Sequence, residues 1–334
     1  MALIEFSSSG LFCPQGNFYI DPWKPVDYAV ITHAHSDHAK FGNRNYLSQE
    51  ETKPLLKLRL GEDIKIETLK WQETININGV KLTFHPAGHI IGSAQVRLEY
   101  KNEVWVFTGD FKTENDGLSK PFEPLKCNTL ITESTFALPI YKWQSQSVIF
   151  DKMKTWVNEN HSSGFASIIL AYSLGKAQRI LKPLQETDIK IFAHGAVYNV
   201  HETLINSGWD LPKINRINLD TKKEELKGSI ILAPPSADGS TWMKKFHPYK
   251  KGICSGWMQV RGNVRRKNAD AGFILSDHAD WQGLISSIKY SGAEKVFVTH
   301  GFQSVLSRYL NENNISAAEV KTLFSDDEEG KAES

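Results

Sequence analysis

The sequence has 334 residues with 40% hydrophobic and 23% charged side chains, a composition typical of globular protein rather than of disordered or fibrous chains. Its length exceeds the usual size of one compact core, so we expect two domains or one large domain with an insertion. The formal net charge is only +1, so any affinity for a polyanion has to come from local clusters of cations.

No apolar run approaches the roughly 20 residues that span a bilayer, and residues 1–10 lack the basic and apolar regions of a secretory signal peptide. The cysteines Cys13, Cys127 and Cys254 are widely separated and odd in number, which suits a reducing compartment and predicts no cysteine-based zinc site. We therefore expect a cytoplasmic protein with no membrane association.

Short β-branched or aromatic runs dominate the first 135 residues and predict mostly strands there. The runs are Val26–Thr32, Lys81–Phe84, Gln95–Tyr100, Val104–Thr108 and Thr129–Thr132. From Ser145 the pattern changes to a helix that ends near His161, after which strand and helix patterns alternate. This alternation predicts a separate α/β module with a parallel sheet. The acidic, small-residue tail 325–334 is predicted to be disordered.

The last part of the chain predicts a strand, a helix, a strand and a helix in that order. These elements are expected at Phe273–Leu275, Trp281–Tyr290, Lys295–Thr299 and Ser304–Asn313. Their place in the fold depends on where the candidate metal ligands lie in the chain.

Four side chains of ligand type follow the apolar strand Val26–Ile31 directly, in the order His33, His35, Asp37 and His38. On a loop that leaves a strand, His33 and His35 can point one way while Asp37 and His38 point another. This suits two adjacent cations rather than one. Histidine clusters also occur as solvated surface patches, but the regular His-x-His-x-Asp-His order favours a metal site.

Two cations need more ligands than one loop supplies, and two candidates sit where strands end. Asp110 closes the strand pattern that begins at Val104, and His89 lies in a turn-rich segment whose glycines let the backbone approach a metal closely. Each alone has an ordinary structural interpretation, as a turn cap or a hydrogen-bonded core histidine. Together they favour a site in which Asp110 bridges two ions about 3.5–4 Å apart and water is activated near neutral pH.

The order of these residues, with Asp27 before them, resembles the signature of the metallo-β-lactamase superfamily. Glu133, His278 and His300 are similar to residues of its β-CASP nucleases, which carry an acidic residue after the next strand and two further histidines after an inserted domain. The resemblance implies an α/β fold, the αββα metallo-β-lactamase sandwich, with an inserted α/β β-CASP domain. The implied bounds are 1–140 and 271–324 for the two parts of the metallo-β-lactamase domain and 141–270 for the insertion.

The resemblance also implies two bound divalent ions, zinc with manganese as the alternative. Seven side chains would hold them: His33, His35 and His89 at one ion, Asp37, His38 and His300 at the other, and Asp110 shared between both. Asp27 would hold these ligands in place by hydrogen bonding, without binding an ion itself.

The implied reaction is hydrolysis of a phosphodiester bond, with Asp37, Asp110, Glu133 and His278 as the catalytic residues. His278 would protonate the leaving 3′-oxygen, because imidazolium titrates near working pH. Glu133 would raise the pKa of His278 by pairing with it. The alternative for Glu133 and His278 is a purely structural hydrogen-bonded pair.

Four phrases are most similar to the bacterial ligase-associated DNA exonucleases: Thr132–Pro139, Tyr172–Arg179, Ser255–Met258 and Leu275–Trp281. This resemblance implies a DNA exonuclease with 5′→3′ direction that acts on single strands or ends, in repair alongside a DNA ligase. One residue points elsewhere: DNA-repair members of the group typically carry valine at the last motif, whereas RNA-processing members carry histidine, as at His300. An RNA-processing exo- or endoribonuclease therefore stays open.

Two further alternatives are a small-molecule hydrolase and a non-catalytic scaffold. A hydrolase of thioesters or lactams has no need of a long insertion with basic clusters. A nucleic-acid-binding scaffold without activity typically loses metal ligands, and this chain keeps all of them.

The expected insertion carries cations interleaved with tryptophans in its C-terminal part. Cations bind phosphates and tryptophans stack on unpaired bases, although charge runs are more often solvated surface. The candidate contacts to DNA, or to RNA in the alternative, are Lys176, Trp257, Arg261, Arg265, Arg266 and Ser276.

Overall fold

The computed structural model describes residues 2–260 and 262–322. Arg261 and the predicted tail 325–334 lie outside these ranges. The described chain divides into two compact units. The first unit contains the residues up to Lys142 together with those from His278 onward, and the second contains Trp143–Asp277. No helix in these ranges is long and apolar enough to cross a bilayer.

The helices and strands follow one another in three stretches. The first stretch contains β1 (Glu5–Ser7), β2 (Gly10–Cys13), β3 (Phe18–Ile20), β4 (Tyr28–Ile31), β5 (Asn45–Gln49), α1 (Lys53–Leu60), β6 (Ile66–Leu69), β7 (Thr74–Ile77), β8 (Val80–Pro86), β9 (Ala94–Tyr100), β10 (Glu103–Phe107) and β11 (Thr129–Ser134). The second contains α2 (Gln146–Ser162), β12 (Ala166–Leu170), α3 (Lys176–Gln185), β13 (Ile191–Ala193), α4 (Gly195–Asn206), β14 (Asn215–Arg216), α5 (Lys223–Leu226), β15 (Ile230–Ala233), α6 (Thr241–Lys244), β16 (Tyr249–Cys254), α7 (Asn263–Arg266) and β17 (Ala271–Phe273). The third contains α8 (Trp281–Ser291), β18 (Lys295–Gly301), α9 (Gln303–Glu312) and β19 (Ser316–Glu319).

Two sheets form the framework of the first unit. One has the order β1-β2-β3-β4-β5-β6 and the other the order β19-β18-β11-β10-β9-β8-β7. Side chains of both sheets meet in one core, where Phe18 and Val30 of the first sheet pack with Phe84 and Val96 of the second. Burial of such side chains stabilises the unit by about 1.5–3 kcal/mol each.

The second sheet is also covered on its other face. There Val298 of β18 shares a core with Leu284 and Ile288 of α8 and with Leu306 and Leu310 of α9. The apolar residues of α8 recur three to four positions apart, which places them on one face of the helix. The late helices and the strand between them, predicted from the sequence, are therefore part of the first unit. The strand predicted at Phe273–Leu275 overlaps β17, which pairs with β16 in the second unit.

The second unit is a parallel sheet covered on both faces, with the order β14-β13-β15-β12-β16-β17. Neighbouring residues of β12 enter different cores: Ile169 packs with α2 and α3, whereas Ile168 packs with Met243 of α6. Burial on both faces explains why these strands are continuous apolar runs rather than alternating ones. The predicted α/β pattern with a parallel sheet is confirmed.

Candidate metal centre

Strand direction brings four predicted site residues to one edge of the second sheet in the first unit. β10, β11 and β18 are parallel neighbours, and β8 shares their direction because β9 runs antiparallel between β8 and β10. Parallel strands end at the same edge of a sheet. His89 follows β8, Asp110 follows β10, Glu133 lies at the end of β11 and His300 lies at the end of β18.

A β-bulge aims His300 at this edge. In the register of β11 and β18, Thr132 pairs with Val298 and Ser134 pairs with Gly301. Two residues of β18, Thr299 and His300, therefore oppose the single residue Glu133, which is the pattern of a bulge. Gly301 closes it with φ of +84°, where a Cβ atom would lie 2.4 Å from the carbonyl oxygen of Ser134. Only glycine fits this close approach without displacing the backbone.

The first group of potential ligands contains His33, His35, His89 and Asp110, whose ligand atoms all lie within 4.8 Å of one another. His89 Nε2 is 3.0 Å from His35 Nδ1, and His33 Nε2 is 3.5 Å from Asp110 Oδ2. The backbone N–H of Ala94 donates to the carbonyl of Thr32 at 2.9 Å, which fixes the segment before His33 to the start of β9. The group thus draws its residues from both sheets.

The second group contains His38, Asp110 and His300, and Asp37 joins His38 and His33 in a third. His300 Nε2 lies 3.1 Å from Asp110 Oδ1 and His38 Nε2 lies 3.5 Å from Asp110 Oδ2. His38 Nε2 is also 3.4 Å from Asp37 Oδ2. All seven residues predicted as ligands are brought together, with Asp110 common to the first two groups.

The chemistry of these donors fits divalent cations. Imidazole nitrogens and carboxylate oxygens are the donors that Zn²⁺ takes, and carboxylates also suit Mn²⁺. His33 Nε2 is buried and has no hydrogen-bond partner among the described residues. A buried polar atom without a partner is costly, and a cation would satisfy it.

The charges around His38 also favour a cation. Burial alone would lower the pKa of His38, but the carboxylates of Asp110, Asp37 and Asp21 outweigh it and raise the pKa to about 10. A proton at Nε2 has to leave before that nitrogen can bind a metal ion. Below pH of about 10, cation binding therefore releases a proton, and it weakens as the pH falls.

Asp21, not Asp27, accepts a hydrogen bond from one of the predicted ligand histidines, His38. The Asp27 side chain is 91% exposed and 4.0 Å from Arg44, so its expected role behind the ligands is wrong. Asp21 is fully buried: Oδ2 accepts from Nδ1 of His38 at 2.7 Å and from the Thr32 hydroxyl at 2.6 Å, and Oδ1 accepts from the Thr32 N–H at 2.8 Å.

The position of Asp21 after a strand, which the order of the motif does not show, explains its role. Asp21 follows the short apolar strand β3, just as Asp110 follows β10, and adopts φ of 42°. Aspartate tolerates this left-handed conformation better than most residues. Because β3 is a parallel neighbour of β4, Asp21 lies next to the segment that carries His33 and His38. Asp27 precedes β4 and so lies at its amino end, away from the ligands.

Glu133 and His278 form the buried pair expected from the sequence. His278 Nδ1 lies 3.0 and 2.9 Å from the two carboxylate oxygens of Glu133, and Oε1 also accepts the backbone N–H of Phe111 at 2.8 Å. Burial would raise the pKa of Glu133, but the charge of His278 outweighs it and lowers that pKa. The pair adjoins the first group, because the rings of His278 and His89 have centroids 4.6 Å apart.

Comparison with known proteins relates the part of the chain that carries most of these residues, but not His278 or His300, to a known superfamily. Residues 20–155 match the model of the metallo-beta-lactamase superfamily. The chain carries a metallo-β-lactamase superfamily domain. This superfamily uses divalent metals, typically zinc, which agrees with the histidine and aspartate groups. The expected fold class, an α/β metallo-β-lactamase fold, is confirmed.

The relatives of the chain act on nucleic acids according to their names. A probable DNA ligase of Opitutus terrae is 28% identical to this chain. The alignment covers 93% of this chain but only 30% of the length of that protein. An RNase J-like protein of Methanocaldococcus jannaschii is 29% identical over 83% of this chain and 82% of its own length. The endoribonuclease YSH1 of Saccharomyces cerevisiae is 32% identical over 36% of this chain and 16% of its own length. By their names, two of these three relatives act on RNA.

A solved structure shares the fold. The crystal structure of a protein of unknown function from Enterococcus faecalis V583 superposes with a TM-score of 0.62 and 12% identity, covering 88% of this chain and 79% of that one. At this identity the similarity concerns the fold alone.

Two of the expected nucleic-acid contacts, Lys176 and Ser276, are buried. In the second unit, Lys176 Nζ lies 3.4 Å from Asp277 Oδ2 and 4.6 Å from the centre of the Tyr172 ring. The Ser276 carbonyl accepts from Arg179 at 2.7 Å. Because these groups are occupied within the unit, the expectation that Lys176 and Ser276 contact nucleic acid is not supported.

The remaining candidates differ in exposure. Arg265 and Arg266 are exposed, and Trp257 is half-buried. Two neighbouring lysines are paired with carboxylates of the same unit. Lys250 pairs with Asp270 at 3.1 Å, and Lys251 Nζ donates to Asp238 at 2.8 Å. The exposed arginines are therefore the better candidates.

Replacement of Asp21 tests the corrected assignment. Asp21→Asn removes the charge that accepts from His38 and Thr32, so Zn²⁺ binding should weaken by roughly 10–100-fold. Asp27→Asn is the matched control, because that carboxylate is exposed, and should bind Zn²⁺ like the wild type. Chelator competition on metal-free protein measures both. Equal affinities for the two variants would contradict the role of Asp21.

Proposed function

We propose that the protein is a metal-dependent DNA exonuclease that hydrolyses phosphodiester bonds in the 5′→3′ direction, in repair alongside a DNA ligase. The observation that carries the proposal is the pair of ligand groups that share Asp110, with the Glu133–His278 pair beside them. Two adjacent cations can stabilise both the attacking and the leaving oxygen of an in-line displacement at phosphorus, and a neighbouring acid can protonate the leaving oxygen.

In this proposal two divalent ions, zinc or manganese, bind at the two groups. His33, His35 and His89 hold one, Asp37, His38 and His300 hold the other, and Asp110 is shared. When bound, the ions neutralise charge on the scissile phosphate and activate water. Asp21 keeps His38 in the orientation that presents Nε2 by accepting from Nδ1.

His278 supplies the proton that hydrolysis requires. Water oxygen forms a bond to phosphorus and gives up one proton to solvent, the bond from phosphorus to the 3′-oxygen breaks, and that oxygen leaves with the proton from His278. Nδ1 of His278 faces Glu133, so Nε2 is the nitrogen that gives the proton. The Glu133 carboxylate favours the charged imidazole and, because it also accepts the Phe111 N–H, holds the ring in place.

DNA is the proposed substrate because of the ligase relative. Nearly the whole of this chain aligns with less than a third of the probable DNA ligase of Opitutus terrae. A single polypeptide that joins a similar segment to a ligase supports a shared task at DNA ends. The second unit is proposed to be the β-CASP insertion and to contact the strand through Trp257, Arg261, Arg265 and Arg266, with phosphate contacts from the arginines.

An RNA-processing nuclease is the second candidate. The RNase J-like relative aligns over 82% of its own length, and histidine at position 300 is the residue typical of RNA-processing members. A non-catalytic scaffold is disfavoured, because all seven ligand-type residues are present and meet in the structure.

Digestion of matched strands decides between these functions. Single-stranded DNA and RNA of one sequence, labelled at either the 5′ or the 3′ end, are incubated with the protein and Mn²⁺ or Zn²⁺. The proposal predicts faster loss of DNA, with mononucleotides released first from the 5′ end. Faster RNA loss favours the second candidate, and no cleavage of either strand contradicts both.

Replacement of His278 tests its role as the proton donor. His278→Ala should keep both ions and bind DNA normally, while the chemical step slows by roughly 10²–10⁴-fold in single-turnover measurements. The defect should shrink on a substrate with sulfur at the scissile 3′ position, since a thiolate leaves without a proton. Glu133→Gln should slow the chemical step in the same way, but by a smaller factor.

His85→Ala is the control for this prediction. His85 also pairs with a glutamate, Nδ1 lying 3.2 Å from Oε1 of Glu123, but it belongs to none of the ligand groups. The His85→Ala variant should cleave DNA at the wild-type rate. Loss of metal from His278→Ala, or wild-type cleavage by it, would rule out the proton-donor role.

A further inference from the structure

Two ligand histidines of the first unit are each preceded by a buried threonine whose hydroxyl touches the ring. Thr32 Oγ1 lies 3.0 Å from Nδ1 of His33, and Thr299 Oγ1 lies 3.3 Å from Nδ1 of His300. Both threonines are no more than 1% exposed. His33 belongs to the first ligand group and His300 to the second, so each group has one such contact.

The hydrogen of each hydroxyl is already committed elsewhere. Thr32 donates to Asp21 Oδ2 at 2.6 Å, and Thr299 donates to the carbonyl oxygen of Thr132 at 3.0 Å. A hydroxyl has one hydrogen to donate and two lone pairs that accept. Toward the histidine, each threonine can therefore act only as an acceptor, and Nδ1 of the ring has to be the donor.

This direction fixes which ring nitrogen is available to a cation. A neutral imidazole carries one N–H, so a ring that donates from Nδ1 presents the lone pair of Nε2. In both residues Nε2 faces Asp110: the distance to the nearer carboxylate oxygen is 3.5 Å for His33 and 3.1 Å for His300.

We infer that Thr32 and Thr299 are positioning residues that hold His33 and His300 in the Nδ1–H form, one for each cation of the proposed metal centre. The inference rests on the proposed function. Threonine is suited to the task because its branched side chain has restricted rotation and its hydroxyl can relay a hydrogen bond from the ring to a fixed acceptor.

The two relays end on different acceptors, and this makes them unequal. The Thr32 relay ends on a carboxylate, and the same oxygen of Asp21 also accepts from His38. The Thr299 relay ends on a neutral carbonyl. Hydrogen bonds to ionised acceptors are about twice as strong as neutral ones. Loss of the Thr32 hydroxyl should therefore weaken cation binding more than loss of the Thr299 hydroxyl.

Isosteric replacement tests the inference. Thr32→Val and Thr299→Val remove the hydroxyl and keep the shape, so each should bind Zn²⁺ roughly 10–100-fold more weakly in chelator competition. Thr32→Ser and Thr299→Ser keep the hydroxyl and should restore binding to within a few-fold of wild type. Thr83→Val is the control, because the Thr83 hydroxyl is bound to Thr74 and not to a histidine, and should leave affinity unchanged.

A second readout needs no metal. In metal-free protein with ¹⁵N-labelled histidine at alkaline pH, two-bond proton–nitrogen NMR spectra should show His33 and His300 with hydrogen on Nδ1. The valine variants should shift each ring toward the other tautomer. If Thr32→Val does not fold, Thr299→Val alone tests the inference.

Two results would overturn the inference: valine variants with wild-type Zn²⁺ affinity, or wild-type rings that carry hydrogen on Nε2. Failure of the proposed function is distinguishable from failure of the inference. If the wild type binds no Zn²⁺ or cleaves neither DNA nor RNA, the proposed function fails, while the NMR spectrum still decides the tautomers.

Discussion

The buried carboxylate of Asp110 is the charge around which the site is arranged. Its oxygens lie 3.1 Å from His300, 3.5 Å from both His33 and His38, and 3.8 Å from His89. A buried charge is tolerated only when it is compensated. Burial would raise the pKa of Asp110, but the neighbouring histidines, His38 foremost, hold it well below its ordinary value. The imidazoles around this anionic centre are donors that the proposed cations would use.

Sheet topology explains how residues distant in sequence reach this carboxylate. His300 lies 190 positions after Asp110, yet the parallel pairing of β10, β11 and β18 carries both residues to one edge. The bulge opposite Glu133 then turns His300 toward Asp110, and Gly301 makes the close backbone contact possible. The predicted metal ligands therefore lie at the ends of strands in the first unit. The second unit is inserted in the chain between β11 and α8, and none of its described residues belongs to the ligand groups.

The histidines and aspartates that the structure brings together, and most of the longer elements, could be predicted from the sequence because both leave strong local signals. The helix predicted at Trp281–Tyr290 is α8, and the strand predicted at Gln95–Tyr100 is β9. The strands β1 and β3 have three residues each, which is too short for a periodic pattern, and they were not predicted. The same limit hid Asp21: its role depends on the pairing of β3 with β4. Nor does sequence reveal that the charge of Lys251 is paired with Asp238.

The most direct test of the account is the number and position of divalent ions in crystals of protein purified without chelator. Anomalous diffraction at the zinc and manganese edges should give two peaks per chain on either side of Asp110. One should be surrounded by His33, His35 and His89, and the other by Asp37, His38 and His300. A single ion bound away from Asp110, or the absence of any ion from protein that cleaves DNA, would contradict the account.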